Sequence, residues 1–447
     1  MADQNIFLQR EARLFVQANA ASDTDTEDTK IFEIPILEGF SFSQSSNISE
    51  VTISEASTGT GNTGSRRGRM AYTDSLAPAE FSFSTYARPF KSLATNVAGN
   101  AEKNGTAKMH DPSEILFAMM AHNHASANDV QVPTSGGQAM VLNGLAFGGH
   151  ESTVDFNTTD FLQLAAHNFY FSFANDAATD ADSAATIYKL EDAVINEVTI
   201  NFDIDGICTY EWSGFASRVI DATNADSPAA ATTLKITPIV FEGRDSTNNL
   251  IMNRLSSLSI TEVVDPNANY DGTYNFALTG GSITISNGIE YVTPSSLNSV
   301  SLPLAHYAGT RSISGSFTCY LNAAANGSQD FLEEVIESSK FDVRNMFKLV
   351  ANIGGTPAFD GSPTKPVLQC ILPAAHVEIP VVNVEEVLSI EVTFHGLPND
   401  GVRTYNADGI NAVTDPTAYY ITGGNEIQLN YEGPVPSTST VSNDLTI

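Results

Sequence analysis

The stretch NEVTINFDIDGICTYEWSGF (196–215) constrains the fold more than any other segment of the chain. Val198, Ile200, Phe202 and Ile204 alternate with polar residues up to Asp205-Gly206, and Cys208, Tyr210 and Trp212 alternate away from it. A period of two belongs to a strand with one buried face, and Asp-Gly is a favoured two-residue hairpin turn. The spacing therefore predicts an antiparallel hairpin. The same period returns in FSFSQ (40–44), SEVTIS (49–54) and EFSFSTY (80–86). A mainly β, antiparallel fold follows.

Two helices interrupt the strands. Asp111-Pro112-Ser113-Glu114 reads as a helix start, with a capping carboxylate, a proline at the first helical position and an acid three residues after the cap. Ile115, Leu116, Met119 and Met120 then supply an apolar face. SQDFLEEVIESSK (328–340) is the second capped helix. Residues 5–18 are expected to form a short helix, with Ile6, Phe7, Leu14 and Phe15 near one face.

The order of these signals occurs twice. GSITISNGIEYV (281–292) parallels GFSFSQSSNISEV (39–51), and SFTCY (316–320) parallels SFSTY (82–86). The second helix takes the place of 111–123. LSIEVTFHGL (388–397) parallels GICTYEWSGF (206–215), with Phe394 at the place of Trp212 and Gly396 at that of Gly214. The offset falls from about 240 to about 180 residues, so the first copy carries an insertion, mostly in 91–155. The expected organisation is an N-terminal arm (1–30), a first domain (31–220), a linker with bridging strands at 234–241 and 255–264 (221–270), a second domain (271–400) and a polar C-terminal tail (401–447). With 447 residues, two cores are expected rather than one.

Charge narrows the function. There are 21 Lys and Arg against 52 Asp and Glu, a formal net charge of −31. Such a field repels nucleic acids and anionic membranes at long range, so a stable DNA or RNA complex is not expected. A surface past which DNA slides without sticking fits the charge, and so does simple solubility of a concentrated protein. No run of residues is apolar for long enough to span a membrane as a helix. The N-terminus, with Arg10, Glu11 and Arg13, does not read as a signal peptide. Cys208, Cys319 and Cys370 are too few for a disulfide framework and read as small buried hydrophobes, reduced in a cytosol.

No motif points to catalysis. His122-Asn123-His124 lacks the surrounding ligands of a metal or nuclease site and reads as a helix end running into a loop. Asp203-Ile204-Asp205-Gly206 imitates the start of a calcium loop, but the twelfth position is Gly214 where a Glu is needed. No GxSxG, HExxH, Walker loop or CxxC pair is present. The expectation is a protein that is not an enzyme and needs no cofactor or metal. One basic cluster, Arg66-Arg67-Gly68-Arg69, lies in the Gly/Ser/Thr-rich stretch STGTGNTGSRRGRMAYTD (57–74). It reads either as a solvated loop or as a clasp for the acidic face of a neighbouring copy.

RRGRMAYTDSLAPAEFSFSTYARPF (66–90) resembles the segment that follows the long loop in the major tail tube proteins of bacteriophages, where a Tyr-Thr-Asp turn leads through Ala-Pro to a strand ending in Tyr-x-Arg-Pro. VINEVTINFDIDGICTYEWSGFAS (194–217) is similar to the same family, and the likeness covers roughly 31–220. TGGSITISNGIEYVTPSSL and GTRSISGSFTCYL resemble the second domain of a duplicated version. The resemblance implies two tandem antiparallel β-sandwich or barrel domains, each with a flanking helix, similar also to the tube protein of type VI secretion. It implies rings of six such domains, from three chains or from six, stacked head to tail into a conduit for DNA ejection. The expected partners are further copies of the chain, a tape-measure protein, a tail terminator and, in a contractile tail, a sheath. DNA passes without specific binding, no membrane is entered, and the expected location is the virion tail, assembled in host cytoplasm. Arg66, Arg67, Arg69, Tyr72 and Asp74 are the expected contacts between rings. Asp203, Asp205, Glu211 and Glu391 are the expected lining of the lumen. The alternatives are a tube protein of a contractile injection system and an acidic β-sandwich binding or adhesin protein.

Overall fold

A computed structural model describes residues 12–17, 31–51, 70–89, 111, 113–121, 152–157, 164–173, 186–204, 206–222, 250–262, 273–292, 302–341, 347–356, 365–384, 387–397 and 425–433. Strands dominate it, and every strand pairing is antiparallel.

The first half contains β1 (Ala12–Gln17), β2 (Ile31–Ile34), β3 (Ser41–Ser43), β4 (Ser46–Val51), β5 (Met70–Leu76), β6 (Ala79–Tyr86), α1 (Glu114–Ala121), β7 (Ser152–Asn157), β8 (His167–Phe173), β9 (Thr186–Asp203), β10 (Thr209–Ala216) and β11 (Arg218–Asp221). The second half contains β12 (Ser257–Glu262), β13 (Thr273–Phe276), β14 (Leu278–Ser286), β15 (Glu290–Val292), β16 (Ala305–Tyr307), β17 (Ser312–Tyr320), α2 (Ser328–Phe341), β18 (Phe347–Ile353), β19 (Val367–Val377), β20 (Val381–Asn383), β21 (Ser389–Gly396) and β22 (Asn425–Glu432).

The pairings repeat. In the first half β1 joins β2 and β8, β8 joins β9, β9 joins β10 and β11, and β10 joins β6, which joins β3. In the second half β12 joins β13 and β18, β18 joins β19, β19 joins β21 and β22, and β21 joins β17, which joins β14. The single long strand β9 corresponds to β19 and β20 together, interrupted around Pro380. The ribbon β4–β5 corresponds to β15–β16. The sequence-level duplication is thus a duplication of topology.

Each helix covers the apolar face of its own half. Phe117 of α1 meets Trp212 edge-on with ring centroids 4.7 Å apart and Tyr210 at 5.2 Å. Phe331 of α2 meets Phe276 at 5.1 Å, Tyr274 at 5.4 Å and Phe347 at 5.6 Å. The start of α1 is more elaborate than a simple cap. Ser113 O accepts the first helical N–H groups, while buried Asp111 accepts the backbone N–H of Ser113 and that of Arg88, both at 2.8 Å.

Four local readings change. Residues 12–17 are a strand and not part of a helix, because Leu14, Phe15 and Val16 are all buried in a strand flanked by β2 and β8. A strand covered on both faces shows a continuous apolar run, which periodicity does not separate from a helix. The Asp-Gly hairpin forms with a wider tip than a two-residue turn: Thr209 pairs with Asn201, while Ile207 and Cys208 bond instead to Met252 and Ile251. Of the two expected bridging strands, 255–264 is integrated in the second half as β12, and 234–241 lies outside the described residues. Within the expected polar tail, Asn425–Glu432 is a strand between β19 and β7. Its polar residues are buried in a chain of amides: Gln428 donates to Asn430 (3.2 Å), Asn430 to Gln369 (2.9 Å) and Gln369 to Asn352 (2.8 Å). This chain of amides pairs both ends of the Asn430 and Gln369 amides, while Gln428 Oε1 is buried without a partner.

The halves share one sheet. Asp203 to Glu197 of β9 pair with Gly280 to Ser286 of β14. Strands therefore run without interruption in the order β3-β6-β10-β9-β14-β17-β21-β20. Asn287 ties the seam further: its N–H donates to Asn196 O (2.9 Å), its side-chain amide to Met120 O (3.1 Å), and its Oδ1 accepts from Arg311 Nε (3.1 Å).

Candidate functional site: the open face of the shared sheet

One face of this run is the core. Phe81, Phe83, Trp212, Val198, Ile200, Ile283, Ile285, Phe317 and Val392 point into it and are buried. Alternation sends the intervening side chains to the opposite face, where strand register places them in rows. One row reads Ser84, Glu211, Thr199, Thr284, Ser314, His395. The next reads Tyr86, Thr209, Asn201, Ser282, Ser316, Thr393. A third reads Ser41, Ser82, Ser213, Glu197, Ser286, Ser312. At the far end Asp203 lies opposite Gly280, which leads to Thr318 and Glu391. Short hydroxyls bridge neighbouring strands, Ser41 with Ser82 at 2.9 Å and Thr199 with Thr284 at 3.0 Å.

The charges on this face are of one sign. Glu80, Glu197, Asp203, Glu211 and Glu391 lie on it, and no Lys or Arg occurs in the stretches of these strands paired in this run; Lys189 lies earlier on β9, where that strand pairs with β8 and β11, and bonds Glu191 at 3.2 Å. His395, which lies on this face, bonds Glu378 at 3.1 Å. Glu211 and Glu391 occupy matching places in the two halves. Glu211 sits one residue before Trp212, which pairs with Phe83, and Glu391 one before Val392, which pairs with Phe317. Sheet register thus makes Val392 the counterpart of Trp212, and Phe394 that of Gly214. Aligning on the glycine misplaced these by two residues, because the hairpin tip of the second half (384–388) is two residues shorter than that of the first (202–208).

Asp203, Glu211 and Glu391, three of the residues expected from sequence, therefore share this face. Asp205 lies outside the described residues. Glu80 and Glu197 were missed, although the alternation in EFSFSTY and NEVTINFD carries the signal: once Phe81 and Val198 are core, their neighbours face the other way. The Phe215 end of the face is covered by the β15–β16 ribbon, with Tyr291 edge-on to Phe215 at 6.4 Å and bonded through its hydroxyl to Asp192 O (2.9 Å).

Tyr72 and Asp74 lie on the ribbon β4–β5, which pairs with no other described strand. Its apolar side chains face solvent: Ile48 is 62% exposed and Tyr72 54%. Arg66, Arg67 and Arg69 lie outside the described residues, as do His122 and His124. Among the described residues no cluster of His, Cys, Asp or Glu is arranged to hold a metal ion. The three cysteines are buried as free thiols, and burial pushes each thiol up from its ordinary value, away from nucleophilic reactivity.

No protein-family model matches the chain. It is 29% identical over 401 residues to the tail tube protein pb6 of Escherichia phage T5, an alignment spanning 88% of this chain and 73% of that protein. That similarity runs through both halves of the chain, whose described residues are mainly antiparallel strands with a helix in each half, and the protein it points to is a phage tail tube protein.

Proposed function

We propose that this chain is the structural subunit of a phage tail tube, with the open face of its shared sheet turned toward the lumen. The observation that carries this reading is the sidedness of the sheet: one face is a packed core, the other a field of Ser, Thr and carboxylates with no Lys or Arg in its paired stretches. A wall of that kind repels phosphates, so duplex DNA moves past it without lodging. The role is passive. The wall contributes rigidity and charge, and no catalytic step is assigned to it.

The two halves repeat one pairing order within one sheet, which favours rings of three chains presenting six near-equivalent units. A six-chain ring with the second half on the outside sits poorly with strands of that half continuing the same sheet. The ribbon β4–β5, with Tyr72 and Asp74 on it and Arg66, Arg67 and Arg69 in the adjoining segment, reaches to the next ring. Head-to-tail stacking of this kind is heterologous and grows without closing, so its length must be set by other proteins, a tape measure and a terminator. The subunit acts in the virion tail after assembly in the host.

Electron microscopy of the purified protein tests the reading. Tubes or stacked rings are expected, and removal of residues 57–69 should leave folded protein that no longer stacks. Monodisperse single chains at high concentration would overturn it.

A further inference from the structure

Among the described residues, the shared sheet ends in two strands with one neighbour each: β3 pairs with β6, and β20 with β21. The β20 end is unusually apolar for an open edge. Ile379, Val381 and Val384 are 58%, 60% and 80% exposed, and Val382, Val387 and Leu388 are exposed beside them. An uncovered apolar edge strand is a site for pairing with another chain.

The seam inside the chain shows how such an edge is covered. In the first half the strand after the turn, β10, places Thr209 opposite Asn201, and β9 then pairs onward with Asn201 opposite Ser282. In the second half Ser389 lies opposite Asn383 in the same way, so Asn383 is the counterpart of Asn201. Ser41 is the counterpart of Ser282, since Ser41 pairs with Ser82 of SFSTY and Ser282 with Ser316 of SFTCY. The partner edge for β20 is therefore β3.

We infer that β20 of one copy pairs antiparallel with β3 of a second copy, with Asn383 opposite Ser41, Val382 opposite Phe42, Val381 opposite Ser43 and Val384 opposite Phe40. This rests on the tube reading above and adds to it the register of the contact that closes the ring.

Two features support this register. At the internal seam Phe202 lies opposite Gly281, and a Cβ on Gly281 would come within 2.8 Å of the Phe202 ring. At the proposed seam the large and small residues change places, Val384 standing for Phe202 and Phe40 for Gly281. Phe40 is already seated, stacked on Phe171 at 5.4 Å. The backbone agrees as well. Ile204 N donates to Thr279 O and Asn287 N to Asn196 O, so the even-numbered residues of β9 are those bonded to β14. By correspondence Val382 and Val384 bond to β3, and Pro380, which has no N–H, ends the ladder. Asn383 and Ser41 then form a non-hydrogen-bonded pair, whose Cα separation of about 4.5 Å lies within disulfide range.

The test is a Ser41→Cys/Asn383→Cys double variant, assembled, oxidised and separated under denaturing, non-reducing conditions. The native thiols are buried and stay silent. Cross-links between chains are expected, in a ladder that ends at three. The second in-register pair, Ser43→Cys/Val381→Cys, should behave alike and covers the case in which the first fails to fold. Single variants and the displaced pair Ser43→Cys/Asn383→Cys should give background only. Tubes that form without cross-linking at either in-register pair, or that link the displaced pair equally, overturn the register and leave the tube reading intact. A ladder reaching six overturns three-chain closure. Failure of the unmodified protein to form rings or tubes overturns the tube reading and this contact with it.

Discussion

Trp212 is 1% exposed, donates through Nε1 to Thr85 Oγ1 at 3.0 Å, and is gripped by Phe117 and Phe83. Truncating it to Ala removes a large part of the packing in the first half, and a loss of about 3–5 kcal/mol is expected in denaturant unfolding. Two residues on, Gly214 has no room for a side chain, since a Cβ would lie 2.2 Å from Val194 O and 2.6 Å from the Phe81 ring. Gly214→Ala should cost about 1–3 kcal/mol or more by overpacking, visible as a lowered thermal midpoint. Asp111 gives a pH signature. Burial is the largest influence on its carboxyl and raises it from 3.8 to about 7, against the pull of the Ser113 and Arg88 N–H groups. The folded-state value lies above the unfolded one, so folding favours the neutral form. That contribution is whole below pH 3.8, falls as pH rises and is gone above about 7. The swing is on the order of 4 kcal/mol. Asp111→Asn should therefore lose less thermal stability than the parent between pH 4 and 7.5. Parallel pH profiles of the two proteins would contradict this.

At the scale of elements, the sequence was most informative where one face is buried and the other is not. Phe81, Phe83, Val198 and Trp212 alternate cleanly, so β6, β9 and β10 could be read directly, and with them the face carrying Glu211. The helices could be read because Asp111, Ser113 and Ser328 mark their starts. Legibility failed where burial is two-sided. β1 reads as an apolar run, and β22 reads as a polar tail because buried Asn430 finds its amide partner, Gln369, far away in sequence. It also failed for hairpin length: the shorter tip after β20 shifts the alignment by two residues, and only strand register shows that Glu391 matches Glu211. Which carboxylates share a face depends on β9 meeting β14, a pairing between halves that no local pattern encodes.

For the molecule as a whole, the charge of −31 acquires a direction: one broad face carries acids and no Lys or Arg in the paired stretches of its strands. If that face is the lumen, reversing its sign should make the tube adhesive. Tubes built from a Glu211→Lys/Glu391→Lys variant are expected to retain duplex DNA at low ionic strength and to release it steeply as salt is raised, by counterion release. Unmodified tubes should retain none. Equal retention by both, measured by co-sedimentation, would remove these residues from the DNA path.

The β9–β14 seam bears on how such a ring comes together. Because it lies within one polypeptide, its two sides are held at high effective concentration and meet without any diffusional search. A closed circle of three chains would have six seams, and half of them would be complete before any two subunits collide. Assembly then requires fewer encounters, and an incomplete circle exposes only two bare ends at a time.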